Sequence, residues 1–465
     1  MRLTRYAGLV ATFLLAACMV GPDYQRPASE LPHAFPEAQA ASAGVEAVRG
    51  DWWRLFDDAV LDDLVAAALD ANVDIAQAVA RIEEADANLR AVDAALFPEI
   101  DLEGTAIRGA GSSTVAAPAP PIVRNDLRLA LNASYEIDFW GKLRRASEAA
   151  RAQGLSSRYA RDVVTLSIAA LVTETYFSLR ALDAQIASTR ATLSTRDETL
   201  RLVRRRAEGG LASDLEVRQA EGAQSDAAFQ LDELERERAL AEHLLATLTG
   251  RLDLAIAPGD LAHLPLPALP PPGLPSALLE RRPDIRQAEQ DLVAANAQIG
   301  VAKAQLFPTI TLTGDFGGES KSLAGLFTVP GRIWALGAGI SAPIFEGGRL
   351  AALVDVQQAR QRQALAAYQR AIQTGFREVQ DALTNVQRYA ALEGDAQSSV
   401  NSAREALRLA NLRYEAGYTG FLDVLDSQRS LNVAELALIR SRQNLLSASV
   451  DLMKALGGGW EAVRS

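Results

Sequence analysis

The side chains that most often carry enzyme chemistry are scarce in this sequence. There is one cysteine, Cys18, and there are three histidines, His33, His243 and His263, with no metal-ligand spacing among them. A zinc site, a cysteine nucleophile or a Ser-His-Asp triad would have little to draw on. The formal net charge of -11 at pH 7 disfavours a nucleic-acid partner. The sequence therefore predicts a protein that is not an enzyme and that has no cofactor beyond a covalent lipid.

Cys18 stands where lipid attachment would need it. Two arginines precede a short apolar run that ends at Ala17, a pattern typical of a secretory signal. The Leu-Ala-Ala-Cys sequence at its end resembles the cleavage box of bacterial lipoproteins, in which the cysteine becomes the first residue and its sulfur carries diacylglycerol. A plain signal peptide with an accidental cysteine is the alternative. We predict a signal peptide over 1–17 and a covalent lipid on Cys18. Met19, rather than aspartate, follows it, as in lipoproteins of the outer membrane.

The elements that must position any site occur twice. Residues 74–104 and 284–314 align at a constant offset of about 210 residues, with about 13 identities. Each copy passes from an Ala-rich helical sequence through Leu-Phe-Pro into a short alternating strand that ends in glycine. A second match relates 206–215 to 413–422 at an offset of about 207 residues. The chain is therefore predicted to be internally duplicated.

Each copy contributes two strands with one apolar face. Apolar and polar residues alternate over 99–106 and, more sharply, over 127–138, and the pattern recurs over 310–316 and 334–344. The longer segments match the length of a membrane-spanning strand. After the N-terminal signal, no apolar run approaches the ~20 residues that a spanning helix requires. Any crossing of a bilayer is therefore predicted to use strands.

Long helices are predicted before and between the strand pairs. One helical pattern begins at Trp52 and runs to Pro98, and a second covers about 65 residues between Leu143 and Glu208, which would reach roughly 100 Å at 1.5 Å per residue. In the second copy, apolar residues recur with a mean spacing of about 3.5, which is typical of a coiled-coil seam. The residues of this seam are Leu365, Tyr368, Ile372, Phe376, Val379, Leu383 and Val386.

Composition separates these copies from two connecting segments. Residues 18–50 and 258–283 are rich in proline and lack helical periodicity, so both are predicted to be extended. The predicted division is a signal peptide over 1–17, a lipidated tether over 18–50, a first structural repeat over 51–257, a Pro-rich linker over 258–283 and a second structural repeat over 284–465.

Four amphipathic strands are too few to close a membrane barrel, because the smallest bacterial single-chain barrels have about eight. Open strand edges in lipid cost several kcal/mol for each unpaired backbone group. The chain is therefore predicted to pool its strands with identical copies, of which three would provide about 12 strands. We expect a mainly α fold with a small β part, in which long coiled-coil α-helices accompany four transmembrane β-strands. A homotrimer would form a 12-stranded β-barrel continuous with an α-helical tunnel.

Three groups of motifs resemble one known family. They are Cys18-x-Val-Gly-Pro-Asp-Tyr-x-x-Pro27, the segment from Leu264-Pro to Arg-Arg-Pro-Asp284-Ile285, and Arg413-Tyr-x-x-Gly417 with the following Asp423-Val-Leu-Asp426-x-x-Arg429. Together they resemble the lipoprotein branch of the TolC-like outer-membrane factors over nearly the whole chain. The resemblance implies a trimeric, lipid-anchored exit duct in the outer membrane of a Gram-negative bacterium, extending into the periplasm. The partners it implies are a periplasmic adaptor protein, an inner-membrane RND-type pump and outer-membrane lipid.

The resemblance also implies a periplasmic gate at the coiled-coil tip. In relatives, the aspartates that match Asp423 and Asp426 ring the closed pore, and Tyr414 and Arg429 match neighbours that hold the tip shut. Three copies would place these carboxylates in a narrow mouth that attracts cations. The alternative is that both aspartates simply favour the positive first turn of a helix. A basic tip residue of some relatives is Thr419 here, so the closing contacts are expected to differ in detail.

Several functions remain open at this point. Drugs, metal ions and secreted peptides leave by similar ducts, so the outer-membrane channel of a type I secretion or metal-ion efflux system is an alternative to a drug efflux duct. A periplasmic coiled-coil adaptor would need a β-rich lipoyl-like domain, and the sequence shows two strand pairs in a repeat instead. The first-copy turn over 209–214 is predicted to be a plain hairpin and a candidate surface for adaptor docking.

Overall fold

The computed structural model describes residues 19–28, 31–32, 35, 50–110, 123–268 and 275–458. The predicted signal peptide, Cys18 and most of the predicted tether lie outside these residues. The chain divides into two compact units, each of which contains segments of both sequence copies. Unit 1 comprises Met1–Ala28, Arg81–Arg158 and Gln287–Gln369, and unit 2 comprises Ser29–Ala80, Tyr159–Arg286 and Arg370–Ser465.

The described part of unit 1 contains a four-stranded antiparallel sheet. Its strands are β1 (Glu99–Ala110), β2 (Val123–Ile137), β3 (Thr309–Ser320) and β4 (Arg332–Ser341). They are hydrogen-bonded in the order β1-β2-β3-β4, so each sequence copy supplies one hairpin and β2 pairs with β3 across the duplication. The two outer strands, β1 and β4, have no further partner strand among the described residues, so the sheet has two open edges there.

The two faces of the sheet differ in chemistry, as the alternating pattern predicts. One face carries a row of cross-strand neighbours from all four strands: Leu102, Leu131, Phe316 and Trp334, between 48% and 70% exposed. On the opposite face, the amide of Asn132 donates to Glu103 at 2.9 Å, and Arg128 pairs with Asp315 at 3.4 Å. The sheet therefore has one exposed apolar face and one polar face.

The described residues form eight α-helices. They are α1 (Ala59–Ala71), α2 (Val73–Ala94), α3 (Lys142–Glu208), α4 (Asp214–Thr249), α5 (Leu278–Arg281), α6 (Pro283–Ala304), α7 (Arg349–Glu415) and α8 (Phe421–Ala455). Helices α3 and α7 have 67 residues each, which confirms the predicted long helices. In the predicted seam of α7, Tyr368, Ile372 and Val379 are buried and the other positions are half-buried.

The predicted continuous helix from Trp52 to Pro98 is wrong, because it is interrupted at Asn72, between α1 and α2. Asn72 is buried and adopts an extended backbone. Its Oδ1 accepts a hydrogen bond from the backbone N–H of Asp74 at 2.9 Å, and its Nδ2 donates to the carbonyl of Leu248 at 3.0 Å. The side chain thus caps α2 and satisfies its own amide at the same time. The apolar period continues on both sides of the break, so the pattern alone does not reveal it.

Helix α3 contains the one stretch in the described residues that is long and apolar enough to cross a membrane by length and composition. The stretch has 18 residues, and half of it is buried inside the protein. The prediction that no apolar run after the signal approaches the length of a spanning helix did not include this stretch, because isolated polar residues interrupt it. Half-burial is what a packed core helix shows, so the stretch is weak evidence for a membrane span.

Residues 19–28 lie along α3 and α6 in unit 1. The N–H of Val20 donates to the carbonyl of Trp140 at 3.0 Å. Arg26 donates two hydrogen bonds, at 2.6 and 2.8 Å, to the buried carboxylate of Glu289. The start of the described chain is therefore held at the junction where β2 ends and α3 begins.

Candidate gate site

The turn between α7 and α8 carries the predicted gate residues. Gly417 has a φ of 75°, a left-handed conformation that glycine tolerates and that ends α7. The N–H of Tyr418 donates to the carbonyl of Arg413 at 2.8 Å, which closes the turn. Helix α8 then begins at Phe421.

The first-copy turn between α3 and α4 has the same construction. Gly210 has a φ of 74°, and the N–H of Leu211 donates to the carbonyl of Arg206 at 2.7 Å. Helix α4 starts with a capping box: the N–H of Glu216 donates to the Ser213 hydroxyl at 3.3 Å, and the N–H of Ser213 donates to the Glu216 carboxylate at 2.8 Å. The predicted hairpin turn over 209–214 is confirmed.

An apolar cluster joins the two hairpins within unit 2. Its buried members come from α3, α4 and α8: Leu200, Val203, Ala220, Phe421 and Val424. Because Phe421 and Val424 point into this tip cluster, the helical period turns the side chains between them the other way. The start of α8 therefore has one packed face and one exposed face.

The exposed face of α8 carries both predicted gate carboxylates. Asp423 accepts a hydrogen bond from the hydroxyl of Thr419. Asp426 accepts one from Arg429 at 2.7 Å, and the two side chains are 61% and 74% exposed. Asp423 also lies in the first turn of the helix, where the positive end of the helix dipole favours it. The structure thus places Asp423, Asp426 and Arg429 on one exposed stretch of α8, and Thr419, at the position of a basic residue in some relatives, is hydrogen-bonded to Asp423.

Tyr414 lies apart from these carboxylates and contacts the first hairpin. Its ring packs against Phe421, with 5.7 Å between the ring centroids, and the guanidinium of Arg206 lies 4.9 Å from the centre of the Tyr414 ring. Burial in this contact raises the pKa of Tyr414. Sequence reasoning missed Arg206 as a gate neighbour. The available signal was the duplication, in which Arg206 matches Arg413 beside Tyr414.

A polar layer, consisting of Arg196, Gln428 and Asn432 with their neighbours, follows the tip cluster along the helices of unit 2. It surrounds a cavity of about 180 Å³ between α3, α7 and α8. Gln428 is 8% exposed, and neither its Oε1 nor the Nε of Arg196 has a hydrogen-bond partner in the described structure. An apolar cluster of Leu182, Ile186 and Leu234 lies farther along the same helices. The polar layer is therefore a weak point between two apolar ones.

Clustered metal ligands are absent from the described residues. Within them, no group of three or more His, Cys, Asp or Glu side chains could hold a metal ion.

The family model described as Outer membrane efflux protein matches residues 64–251 and 274–458. The chain belongs to the outer membrane efflux protein family. The first matched segment lies in the first copy of the internal duplication, and the second covers the end of the predicted linker and most of the second copy.

Similar proteins cover almost the whole chain. Outer membrane protein OprJ of Pseudomonas aeruginosa is 36% identical over 99% of this chain and 96% of OprJ. Antibiotic efflux pump outer membrane protein ArpC of Pseudomonas putida is 35% identical over 97% of this chain and 94% of ArpC. The crystal structure of the CmeC outer membrane channel of Campylobacter jejuni matches with a TM-score of 0.89 and 25% identity, covering 96% of each chain.

These findings establish the class of this efflux protein. It is an outer-membrane channel of an efflux pump with a TolC-like fold, a component of a tripartite system that extends into the periplasm, and it is not an enzyme. The mainly helical, duplicated chain with four strands is confirmed. The roles of Asp423, Asp426, Tyr414 and Arg429 stay predictions, as does the lipid on Cys18.

Proposed function

We propose that this efflux protein is a lipid-anchored, homotrimeric exit duct that passively conducts substrates across the periplasm and the outer membrane. A periplasmic adaptor and an inner-membrane RND-type pump would deliver the substrates. The exit would be gated at the tip by Asp423 and Asp426, with Tyr414 and Arg429 beside them. The two-faced sheet with open edges is the observation that carries this proposal.

The sheet supports membrane insertion as a shared barrel. Its apolar face exposes large side chains such as Phe316 and Trp334, which water disfavours and lipid accepts. Its edges, β1 and β4, offer unpaired backbone groups that lipid does not tolerate. Pairing β4 of one copy with β1 of the next removes every edge, and three copies give about 12 strands, within the range of bacterial barrels. The polar face would then line the lumen.

Aromatic residues at the ends of the strands support a membrane boundary there. Where β2 ends and β3 begins, Trp140 stacks on Phe307 and meets Phe139 edge-to-face, with centroid distances of 4.6 and 4.8 Å. Phe97, before β1, is 69% exposed, and Phe345, after β4, is 89% exposed. Aromatic side chains are enriched at membrane–water interfaces. The junctions between strands and helices would therefore lie at the periplasmic surface of the membrane.

The same boundary supports lipid attachment at Cys18. Val20 is hydrogen-bonded to Trp140, and a Cβ added to Gly141 would lie 2.4 Å from Cγ of Met19. Met19, which follows Cys18 in the sequence, therefore lies close to the aromatic boundary. A diacylglycerol on Cys18 would reach the bilayer from this position, and burial of its acyl chains contributes roughly 0.8 kcal/mol for each methylene.

The similarity to one relative favours one class of substrate. ArpC, which matches along nearly its whole length, is described as part of an antibiotic efflux pump. This similarity favours organic antimicrobial compounds over metal ions or secreted peptides as the exported class.

Planar-bilayer recording tests the duct and the gate together. Replacing Asp423 and Asp426 by alanine removes the exposed carboxylates of α8, so we expect a lower cation-to-anion permeability ratio and a changed single-channel conductance. The matched control replaces Glu233 and Glu237, two exposed carboxylates on α4, by alanine and should conduct like the wild type. Unchanged currents in the first variant would leave the aspartates with only their helix-start role. A wild type without any conductance would contradict the duct itself.

A further inference from the structure

The apolar face of the sheet has a cavity that the channel function does not use. It measures about 330 Å³ and lies in unit 1, where β3 connects to β4. Its lining is mostly apolar, with one charged side chain: Leu102, Leu129, Leu131, Phe316, Gly317, Gly318, Leu326, Phe327, Thr328 and Arg332. The row of exposed apolar side chains across the sheet contributes three of these residues.

The β3–β4 connection builds one wall of this cavity by folding back over the sheet. Two 3-10 turns shape the connection, and the hydroxyl of Thr328 donates to the carbonyl of Gly325 at 2.8 Å. Leu326 is 7% exposed, and a Cβ added to Gly318 would lie 2.1 Å from its carbonyl oxygen. The loop backbone can rest on the strand only because Gly318 has no side chain. The cavity is therefore a packed feature of the fold.

Arg332 gives the cavity its charge. It is exposed on the apolar side of the sheet, where β4 starts, and no other described side chain or backbone group bonds to its guanidinium. A cation on the lipid face of a strand is much more costly at the bilayer midplane than near the headgroups. Anionic headgroups attract such residues. A ligand that complements this site therefore has a phosphate group attached to a hydrocarbon chain.

The position of the cavity along the strands indicates the membrane leaflet in which it lies. The helices and the aromatic boundary lie where β2 ends and β3 begins, at Ile137 and Thr309. The cavity lies towards the other end of β3, beside Phe316, Gly317 and Gly318, seven to nine residues from Thr309, a distance of roughly 23–30 Å at about 3.3 Å per residue. If the helices are periplasmic, as the proposed function requires, this end of the strands lies in the outer leaflet.

We infer that this cavity holds an acyl chain of a phosphorylated lipid of the outer leaflet, and that Arg332 pairs with the phosphate of that lipid. The loop and the apolar row contact the chain, and Arg332 selects the headgroup. The inference rests on insertion of the sheet into the membrane, which is part of the proposed function.

Trp334 reports occupancy of this site, because it is 70% exposed and stands two residues after Arg332 on the same face. The full-length protein is reconstituted into phosphatidylcholine vesicles that contain increasing fractions of phosphatidic acid with brominated acyl chains, which quench tryptophan on contact. Brominated phosphatidylcholine is the lipid of comparison. The Trp334→Phe variant gives the signal of the remaining tryptophans, and excess inorganic phosphate tests whether the anion alone competes.

We expect phosphatidic acid to bind about fivefold better than phosphatidylcholine, the preference that one basic residue near the surface supplies. Arg332→Gln should reduce this preference to about one, whereas Arg377→Gln, on the exposed surface of α7, should retain it. Excess inorganic phosphate should compete poorly, because it cannot fill the cavity.

Three results would overturn the inference. Equal quenching by the two lipids in the wild type would show that the cavity does not prefer a phosphate headgroup, and it would not contradict the channel function. Equal losses in Arg332→Gln and Arg377→Gln show general electrostatic attraction, and full competition by inorganic phosphate shows a site for the free anion. Absence of quenching by any lipid contradicts membrane insertion, and with it the proposed function.

Discussion

Glu174 of α3 is a half-buried carboxylate in unit 2 whose proton affinity depends on its packing. Burial and then the negative charge of Asp451 raise its pKa from 4.5 to about 7, against the opposing charge of Lys454. The folded protein therefore binds this proton more tightly than the unfolded chain does. The folded-state pKa is higher than the unfolded-state value of 4.5. The free energy of unfolding therefore falls as the pH rises from about 4.5 through about 7.

Replacing Glu174 by glutamine removes this dependence. We expect Glu174→Gln to raise the melting temperature relative to the wild type at pH 8, where the wild-type carboxylate is charged, and to have little effect at pH 5. Thermal unfolding in detergent at the two pH values measures the difference. Glu198→Gln, at an exposed position on the same helix, is the matched control. An equal gain at both pH values would show that charge on Glu174 is not the cause.

Cys18 has a direct chemical test. We expect the mature wild-type protein to carry the mass of diacylglycerol and a further acyl group at its N-terminus, and Cys18→Ser to lack it. Intact-mass spectrometry of the membrane fraction measures both, and Met19→Leu should keep the lipid as the control. A mature wild-type protein that retains a free thiol at Cys18 would favour the plain signal peptide.

Among elements, the polar layer of unit 2 makes a quantitative prediction. The unpartnered Oε1 of Gln428 is buried beside the cavity of about 180 Å³, and such a group costs roughly 1–3 kcal/mol. Gln428→Leu should therefore increase the free energy of unfolding by roughly 1–3 kcal/mol, measured by denaturant titration in detergent. Gln363→Leu, on the exposed surface of α7, should change it little. A destabilised Gln428→Leu variant would indicate that ordered water already satisfies the layer.

Regular elements could be predicted because their hydrophobic periodicity is present in the local sequence. The alternation over 127–138 and the coiled-coil spacing of α7 each require only local sequence, and both are confirmed. The break at Asn72 could not be predicted, because its amide is satisfied by Leu248, which is distant in sequence. Periodicity does not record such a partner.

For the candidate gate, too, some features could be predicted from the sequence and others could not. The acidic pair and Arg429 were predicted from the family resemblance, and the structure places Asp426 and Arg429 in contact on the exposed surface of α8. Thr419 departs from the family pattern, and its hydrogen bond to Asp423 depends on the conformation of the turn. The contact between Arg206 and Tyr414 joins two hairpins, and the duplication was the only sequence signal that related them.

At the scale of the whole molecule, a single chain leaves its sheet unfinished. Two edge strands have no partner within the described residues, and large apolar side chains remain exposed on one face. Identical copies that pair β4 with β1 solve the first problem, and surrounding lipid solves the second. The proposed duct depends on this assembly, since the four described strands of one chain form an open sheet.

The most direct test is the mass of the detergent-solubilised protein, measured by native mass spectrometry and by light scattering corrected for detergent. We predict a particle that contains three chains of 49.7 kDa each, less their signal peptides. A stable monomer that remains in solution without detergent, with its sheet away from lipid, would contradict the account.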